Sequence, residues 1–412
     1  MDGTASALTL GFDPWSGEFV AYPYDVYAAL RERSPVAYFP PTGQWVVARY
    51  ADVNALLRDR RLGRTYLHLA THEEIGQPPD LAGSADFWHV VRNGMLDREP
   101  PDHTRLRRLV AKAFTPRMVD RLRPRVQEIA DRLVDELVDA GSDGSAVDLM
   151  RTVAEPLPVA VIAEMLGVPP ADRALLRPWS ADICGMYELN PAPETAAIAS
   201  RAALEFSAYL RDLSRRRRSR PEDDLISALA HVIDEGDRLT EDELIGTCVL
   251  VLNAGHEATV NVTGNGWLAL FRNPGQLQLV RDDPGLLPSA VEELMRYDTP
   301  LQMFERWVLE DITVGGVEIP RGCEVALLFG SANHDPARFA DPDRLDVTRG
   351  DNPHISFGAG IHFCLGAPLA RVELVTSFGT LLRRAPALTL AEAPRWKPGY
   401  VIRGLEELLV TV

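Results

Sequence analysis

The chain has 412 residues, 46% hydrophobic and 25% charged, an ordinary composition for a folded protein, with no stretch that reads as a linker, repeat or low-complexity tract. Its net charge of −16 argues against nucleic-acid binding, which needs a basic footprint. Apolar runs fall far short of the ~20 residues of a membrane span, and residues 1–15 lack the basic flank and apolar run of a leader. The four cysteines are few and scattered, which suits a reducing cytoplasm rather than a disulfide framework. The expectation is one mainly α-helical domain over 1–412, cytoplasmic and monomeric, with no membrane or nucleic-acid partner.

In chain order, Trp45-Val46-Val47-Ala48 reads as a strand. Glu99-Pro100-Pro101-Asp102-His103-Thr104-Arg105-Leu106-Arg107 opens a helix after a proline pair, and His103 and Arg107, at i and i+4, project from one face. Arg105, Arg108 and Lys112 follow on the same helix and read equally as part of a basic docking face or as a solvated surface. Arg215-Arg216-Arg217-Arg218, followed by Pro221-Glu222-Asp223-Asp224, reads as a solvated corner between two helices.

Thr240-x-x-Glu243 is a capping box, and the helical pattern after it meets no proline before Asn273-Pro274. About 33 residues at ~1.5 Å each reach roughly 50 Å, the width of a whole domain. Cys248-Val249-Leu250-Val251-Leu252 is apolar all round, so this stretch should be buried. Asn253-Ala254-Gly255-His256-Glu257 then puts a glycine and a carboxylate inside the rod. The glycine costs about 1 kcal/mol relative to alanine, and a buried carboxylate costs more unless paired. An interruption of that kind marks a candidate site. Glu293-Leu294-Met295-Arg296 pairs an acid and a base at i and i+3, and Glu324-Val325-Ala326-Leu327-Leu328 reads as a second strand.

Phe357-Gly358-Ala359-Gly360-Ile361-His362-Phe363-Cys364-Leu365-Gly366 is the most informative segment. Leu365, Leu369, Val372, Val375, Phe378 and Leu382 recur at helical intervals after it, and Pro368 is at home in a first turn. Cys364 thus sits at the positive end of a helix dipole, a setting that lowers a thiol pKa and favours the metal-binding thiolate. Gly358, Gly360 and Gly366 leave room for a flat, bulky partner near the backbone.

Phe-x-x-Gly-x-His-x-Cys-x-Gly resembles the haem-binding loop of the cytochrome P-450 family, whose cysteine is the proximal thiolate ligand of haem iron. By that resemblance Cys364 is the iron ligand of haem b, Phe357 packs near the thiolate with Gly358 and Gly366 shaping the loop, and His362 faces a propionate. His103 and Arg107 match the family's propionate-binding positions, arginine being a planar, permanently charged fork for carboxylates, and Arg306 matches a third. The segment Ala254-Gly255-His256-Glu257 resembles the family's oxygen-binding groove, with Gly255 and Glu257 in place. The alcohol that normally follows the acid is replaced by Ala258, with Thr259 one position later and ~100° further round the helix. Glu293, Arg296 and Arg344 resemble the family's structural Glu-Arg-Arg cluster, and His354 is expected to make a structural hydrogen bond.

The resemblance runs from Phe12-Asp13-Pro14 to Gly404-Leu405 and fits the soluble bacterial branch. It implies a single triangular, mainly α domain with small sheets and a long central helix over the haem. The implied activity is that of a monooxygenase in secondary metabolism, which inserts one atom of dioxygen into a mid-sized hydrophobic molecule. Electrons would come from a separate ferredoxin and ferredoxin reductase. By family position the substrate pocket draws on residues 91–95, 186–190, 251–258, 301–304 and 400–402. Ala258 keeps open a haem-thiolate enzyme of different chemistry, namely peroxide use, desaturation or oxidative coupling; a non-enzymatic haem binder is the third reading.

Overall fold

Thr240 starts the longest helix of the chain, Glu241–Arg272. Its Oγ1 accepts the Glu243 N–H at 3.2 Å while Glu243 Oε2 accepts the Thr240 N–H at 2.9 Å, so two otherwise orphaned donors are satisfied reciprocally. The helix is 32 residues long and runs unbroken through the polar segment at its centre. Trp267 near its end stacks on Phe378, with ring centroids 5.3 Å apart and planes 7° apart.

The computed structural model describes residues 6–412; residues 1–5, part of the stretch read above as carrying no leader, lie outside the described residues. The helices that build the site are α1 (Asp102–Ala113), α2 (Pro116–Ala140), α3 (Pro156–Leu166), α4 (Leu176–Cys184), α5 (Pro193–Ser219), α6 (Glu241–Arg272), α7 (Leu287–Tyr297) and α8 (Ala367–Arg384). Helix α6 runs through the middle, touching α3, α4, α5, α7 and α8, and α8 packs along α2. Most of the core lies among these helices.

At one side sits a sheet of five strands, β1 (Val36–Phe39), β2 (Gln44–Val47), β3 (Leu62–Gly63), β4 (Met303–Val308) and β5 (Glu324–Leu328), in the order β1-β2-β5-β4-β3. The two strands read from sequence, β2 and β5, are its parallel pair, with Val46 opposite Ala326. Three smaller sheets complete a mainly helical domain. Among the described residues no helix is long and apolar enough to cross a membrane.

Three expectations need correction. Arg344 is not the third member of the Glu293 cluster. Its carbonyl turns inward to Arg296 at 3.4 Å, which sends its side chain outward to Asp346 with 63% of it exposed. Arg349 takes the place instead, its Nε donating to Glu293 Oε2 at 3.0 Å. Arg105, Arg108 and Lys112 form no free basic face, because Arg105 pairs with Glu243 and Asp237, and Arg108 and Lys112 both pair with Asp234. In the arginine run, Arg217 is buried rather than solvated: it holds Asp224 at 2.5 Å and the Gly167 carbonyl at 2.9 Å.

Glu293 and Arg296 have fully buried side chains joined by two hydrogen bonds of 2.8 Å. Removing one partner of such a pair strands the other charge and costs ~3–5 kcal/mol, whereas an exposed pair contributes ~0–1 kcal/mol. Urea unfolding should therefore show Arg296→Ala and Arg349→Ala losing ~3 kcal/mol or more and Arg344→Ala losing less than ~1 kcal/mol. Equal losses for Arg344→Ala and Arg349→Ala would restore Arg344 to the cluster.

Candidate functional site

The cysteine loop is shaped by its own backbone before any side chain acts. Gly358 and Gly360 both take φ +69°, a region closed to most side chains. A Cβ on Gly360 would lie 2.3 Å from the Leu57 carbonyl oxygen, so this glycine answers to close packing and does not leave the open space the sequence suggested. The loop closes where the Cys364 N–H donates to the Phe357 carbonyl at 3.0 Å, and helix α8 begins at Ala367 with Pro368 in its first turn.

Two carboxylates of α7 act in succession on this region. Glu293 holds the segment before the loop. Glu292 accepts from Arg371 at 2.6 and 2.8 Å and meets His354 Nε2 at 3.1 Å, so the His354 contact is structural. The Arg371 guanidinium in turn lies 4.6 Å over the Phe357 ring. Burial works against ionisation of Glu292, but the Arg371 and His354 hydrogen bonds outweigh it and hold the carboxyl at about 2.

For Cys364 the balance differs from the sequence expectation. Burial pushes the thiol up, and the N–H groups of Gly366 and Ala367, with the cations Arg107 and Arg371, only partly oppose it. The helix terminus is present and acts in the expected direction, but desolvation is the larger effect. A bound metal would complete the deprotonation.

On the same side as the thiol lie two histidines with unpartnered ring nitrogens and two arginines. His103 is 2% exposed and both of its ring nitrogens lack a partner. Burial, with His362 and Arg107 beside it, lowers its pKa to about 4, so the ring is neutral. Its ring lies 4.4 Å from that of His362, whose Nε2 is also unpartnered and stands 3.7 Å from Glu99, beyond hydrogen-bond length. Arg306, on β4, is 3% exposed, and burial and the neighbouring Arg64 pull its pKa down to about 9. Arg107 donates to the Phe363 carbonyl at 2.6 Å, tying α1 to the cysteine loop. Buried donors are normally satisfied. Two imidazoles with unpartnered nitrogens, beside a buried guanidinium whose one acceptor is the Glu305 carbonyl at 2.8 Å, fit a ligand that brings a metal and carboxylates together, as iron protoporphyrin IX with its propionates does.

The central helix presents a different face. Ala254 and Ala258, one turn apart, are exposed in the middle of an otherwise buried rod, so a chamber opens against that face. Thr259 is 5% exposed and packed away from it. Gly255 turns toward α3, where a Cβ would lie 2.7 Å from Ile162 Cδ1. Glu257 is paired with Lys397 Nζ at 3.3 Å, and His256 Nδ1 meets Ser180 Oγ at 3.2 Å.

The comparisons with known proteins agree with this geometry. The family model "Cytochrome P450" matches residues 198–386. The polyketide biosynthesis cytochrome P450 PksS of Bacillus subtilis is 39% identical over 98% of this chain and 99% of its own. The chain is a cytochrome P450. A second relative, 6-deoxyerythronolide B hydroxylase of Saccharopolyspora erythraea, is 41% identical over 94% of this chain and 95% of its own. The structure of P450BioI in complex with an acyl carrier protein carrying hexadec-9Z-enoic acid superposes with a TM-score of 0.88 at 38% identity, covering 96% of this chain and 100% of that one. As a cytochrome P450 it is a haem-thiolate monooxygenase, and haem is its cofactor.

This cytochrome P450 brings His103, Arg107, Arg306, His362, Phe357, Gly358, Cys364 and Gly366 together around the loop, and Gly255, Glu257, Ala258 and Thr259 on α6. Sequence reasoning missed Arg371, Glu292, Arg349 and Lys397. Only Glu292, adjacent to Glu293, carried a local signal, since Lys397 pairs with a residue 140 positions away.

Glu292 has a testable pH signature. Its folded pKa lies below the ordinary 4.5, so its contribution to stability is complete above that value and disappears as pH falls toward about 2. The stability gap between wild type and Glu292→Gln, measured by urea unfolding across pH, should stay constant above pH ~4.5 and close below it. A gap unchanged at pH ~3 would show that the carboxylate charge is not what matters.

Proposed function

We propose that this cytochrome P450 hydroxylates a mid-sized hydrophobic secondary metabolite with electrons from a separate ferredoxin and its reductase. The observation that carries the reading is the pair of imidazoles, His103 and His362, whose buried ring nitrogens have no partner, on the Cys364 side of the domain with the buried cation Arg306. Cys364 serves as the proximal ligand, and His103, Arg107, Arg306 and His362 hold the propionates. When bound, the haem supplies reductive activation of dioxygen and transfer of one oxygen atom to substrate.

The chain's own residues bind, orient and move protons. Val251, Ala254, Ala258 and Leu301 offer an apolar wall, suited to a hydrophobic molecule. The relatives named for polyketide biosynthesis and for 6-deoxyerythronolide B support a substrate of that size. Glu257, paired with Lys397, organises the protons of the distal chamber. Ala258 has no hydroxyl to share that work, so a substrate hydroxyl or an ordered water completes the relay. Peroxide use, desaturation or oxidative coupling is the second reading, and Ala258 is the residue that favours it. Ile361 and Phe363, 46% and 42% exposed on the cysteine loop, offer the electron donor an apolar contact next to Cys364.

Two experiments test this. The reduced carbon monoxide complex should show the long-wavelength Soret band of haem thiolates. Cys364→Ala should abolish it, while Cys184→Ala, Cys248→Ala and Cys323→Ala keep it; survival of the band in Cys364→Ala would sink the ligand assignment.

The second compares product formed with NADH consumed, using a surrogate ferredoxin pair. Wild type should couple well, Ala258→Thr should change little, and Glu257→Ala should slow turnover by roughly 10²-fold, the scale of a lost proton-transfer group. If Thr259→Ala alone collapses coupling, the relay runs through Thr259 instead.

A further inference from the structure

Two loops from distant parts of the chain close on the same turn of α6. The first, residues 185–192 between α4 and α5, is placed by Tyr187, whose hydroxyl lies 3.5 Å from Asn253 Nδ2. The second, residues 397–402, is placed by Lys397 on Glu257 at 3.3 Å. Asn253 and Glu257 are one turn apart and bracket Ala254 on the exposed face, so the two loops meet over the chamber.

Glu188 joins them. Its Oε2 accepts the N–H groups of Tyr400 at 2.9 Å and Val401 at 3.0 Å, and its Oε1 accepts that of Ile402 at 3.0 Å. Three successive backbone donors converging on one carboxylate form a charge-assisted anion nest. The fit is close, since a Cβ on Gly399 would lie 2.8 Å from Glu188 Oε1. Beyond Glu188, Asn190 takes φ +51°, a left-handed turn uncommon for a residue with a side chain.

The receiving loop is braced from behind. Val401 accepts from the Gln302 N–H at 3.0 Å, the Arg403 N–H donates to Pro300 at 2.7 Å, and the Tyr400 hydroxyl meets that of Tyr27 at 2.8 Å. The first loop has no comparable set of hydrogen bonds, and is otherwise held by apolar packing of Met186 and Tyr187 on the helical core and of Leu189 on the cluster that includes Tyr400 and Val401. Among the described residues, every hydrogen bond it makes to 397–404 ends on Glu188.

We propose that Glu188 is the latch of the substrate chamber, a positioning residue whose carboxylate, gripping the N–H groups of Tyr400, Val401 and Ile402, holds the 185–192 loop closed and sets how fast a substrate-sized ligand enters and leaves. The proposal rests on haem being held at Cys364, which the carbon monoxide band checks separately. The probe is 4-phenylimidazole, whose binding to the holoenzyme shifts the Soret band and can be followed by stopped flow. Amide hydrogen exchange at residues 400–402, which needs no haem, is the second measurement.

Glu188→Ala should keep the carbon monoxide band and the thermal midpoint. It should speed probe release by at least ~10-fold, the least expected for losing charge-assisted hydrogen bonds, and expose the three amides to faster exchange. Gly399→Ala, which keeps the charge but displaces the carboxylate, should match it, and the double variant should release no faster than either. Unchanged release with unchanged amide protection would overturn the latch, as would additive effects in the double variant. A wild type without the carbon monoxide band would instead overturn the haem reading, leaving the amides to decide the latch.

Discussion

Glu293 has no exposure to water, and the course of the chain into the cysteine loop follows from how its charge is satisfied. It accepts from Arg296, from Arg349, from the backbone of Asp346 and from Asn352. Arg296, held in place by that contact, donates onward to the carbonyls of Asn333 and Pro342. Asn333 accepts the Ile355 N–H and donates to Ser356, whose hydroxyl returns to α7 at Met295. An ionised carboxylate is tolerated in a dry interior only when paired and fully hydrogen-bonded. Meeting that demand folds the segment from 333 to 356 into one shape, and Glu292, its neighbour, extends the same constraint through Arg371 to Phe357.

Where α7 over-satisfies its carboxylates, the opposite edge of the loop under-satisfies its donors. His103 and His362 carry buried ring nitrogens without partners, a departure from the general rule that buried polar groups find partners. The same burial that raises the Cys364 thiol lowers His103, so the protein alone neither ionises its thiol nor charges its histidine. Both imbalances have the sign that a metal with carboxylate arms corrects. The site is pre-organised for a cofactor that carries its own charge.

The central helix serves both sides of the chemistry. Its capping box and apolar flanks carry it unbroken across the domain, and its middle carries the polar groups of the site. Ala254 and Ala258 open the chamber, Glu257 reaches Lys397, and Asn253 meets Tyr187. The hydrogen bonds that join the loops over this turn end on one carboxylate, so substrate entry and the surroundings of the distal acid share a boundary.

Much of this was legible from short-range pattern. The capping box, the strand pair at 44–47 and 324–328, the helix after Cys364 and the one-residue offset between Ala258 and Thr259 depend on neighbours within a few positions, where periodicity and side-chain type are enough. The residue types of the cysteine loop likewise announced a haem-thiolate protein. Tertiary structure decided who pairs with whom. It chose Arg349 over Arg344 by turning the Arg344 carbonyl inward, and it neutralised Arg105, Arg108 and Lys112 with acids from the first turn of α6 and the segment before it. It let desolvation outweigh the helix terminus at Cys364. It also set Lys397 on Glu257 and the 400–402 amides on Glu188, across separations of 140 and more than 200 residues. Burial and long-range partners are properties of the folded surface, and spacing along the chain carries no record of them.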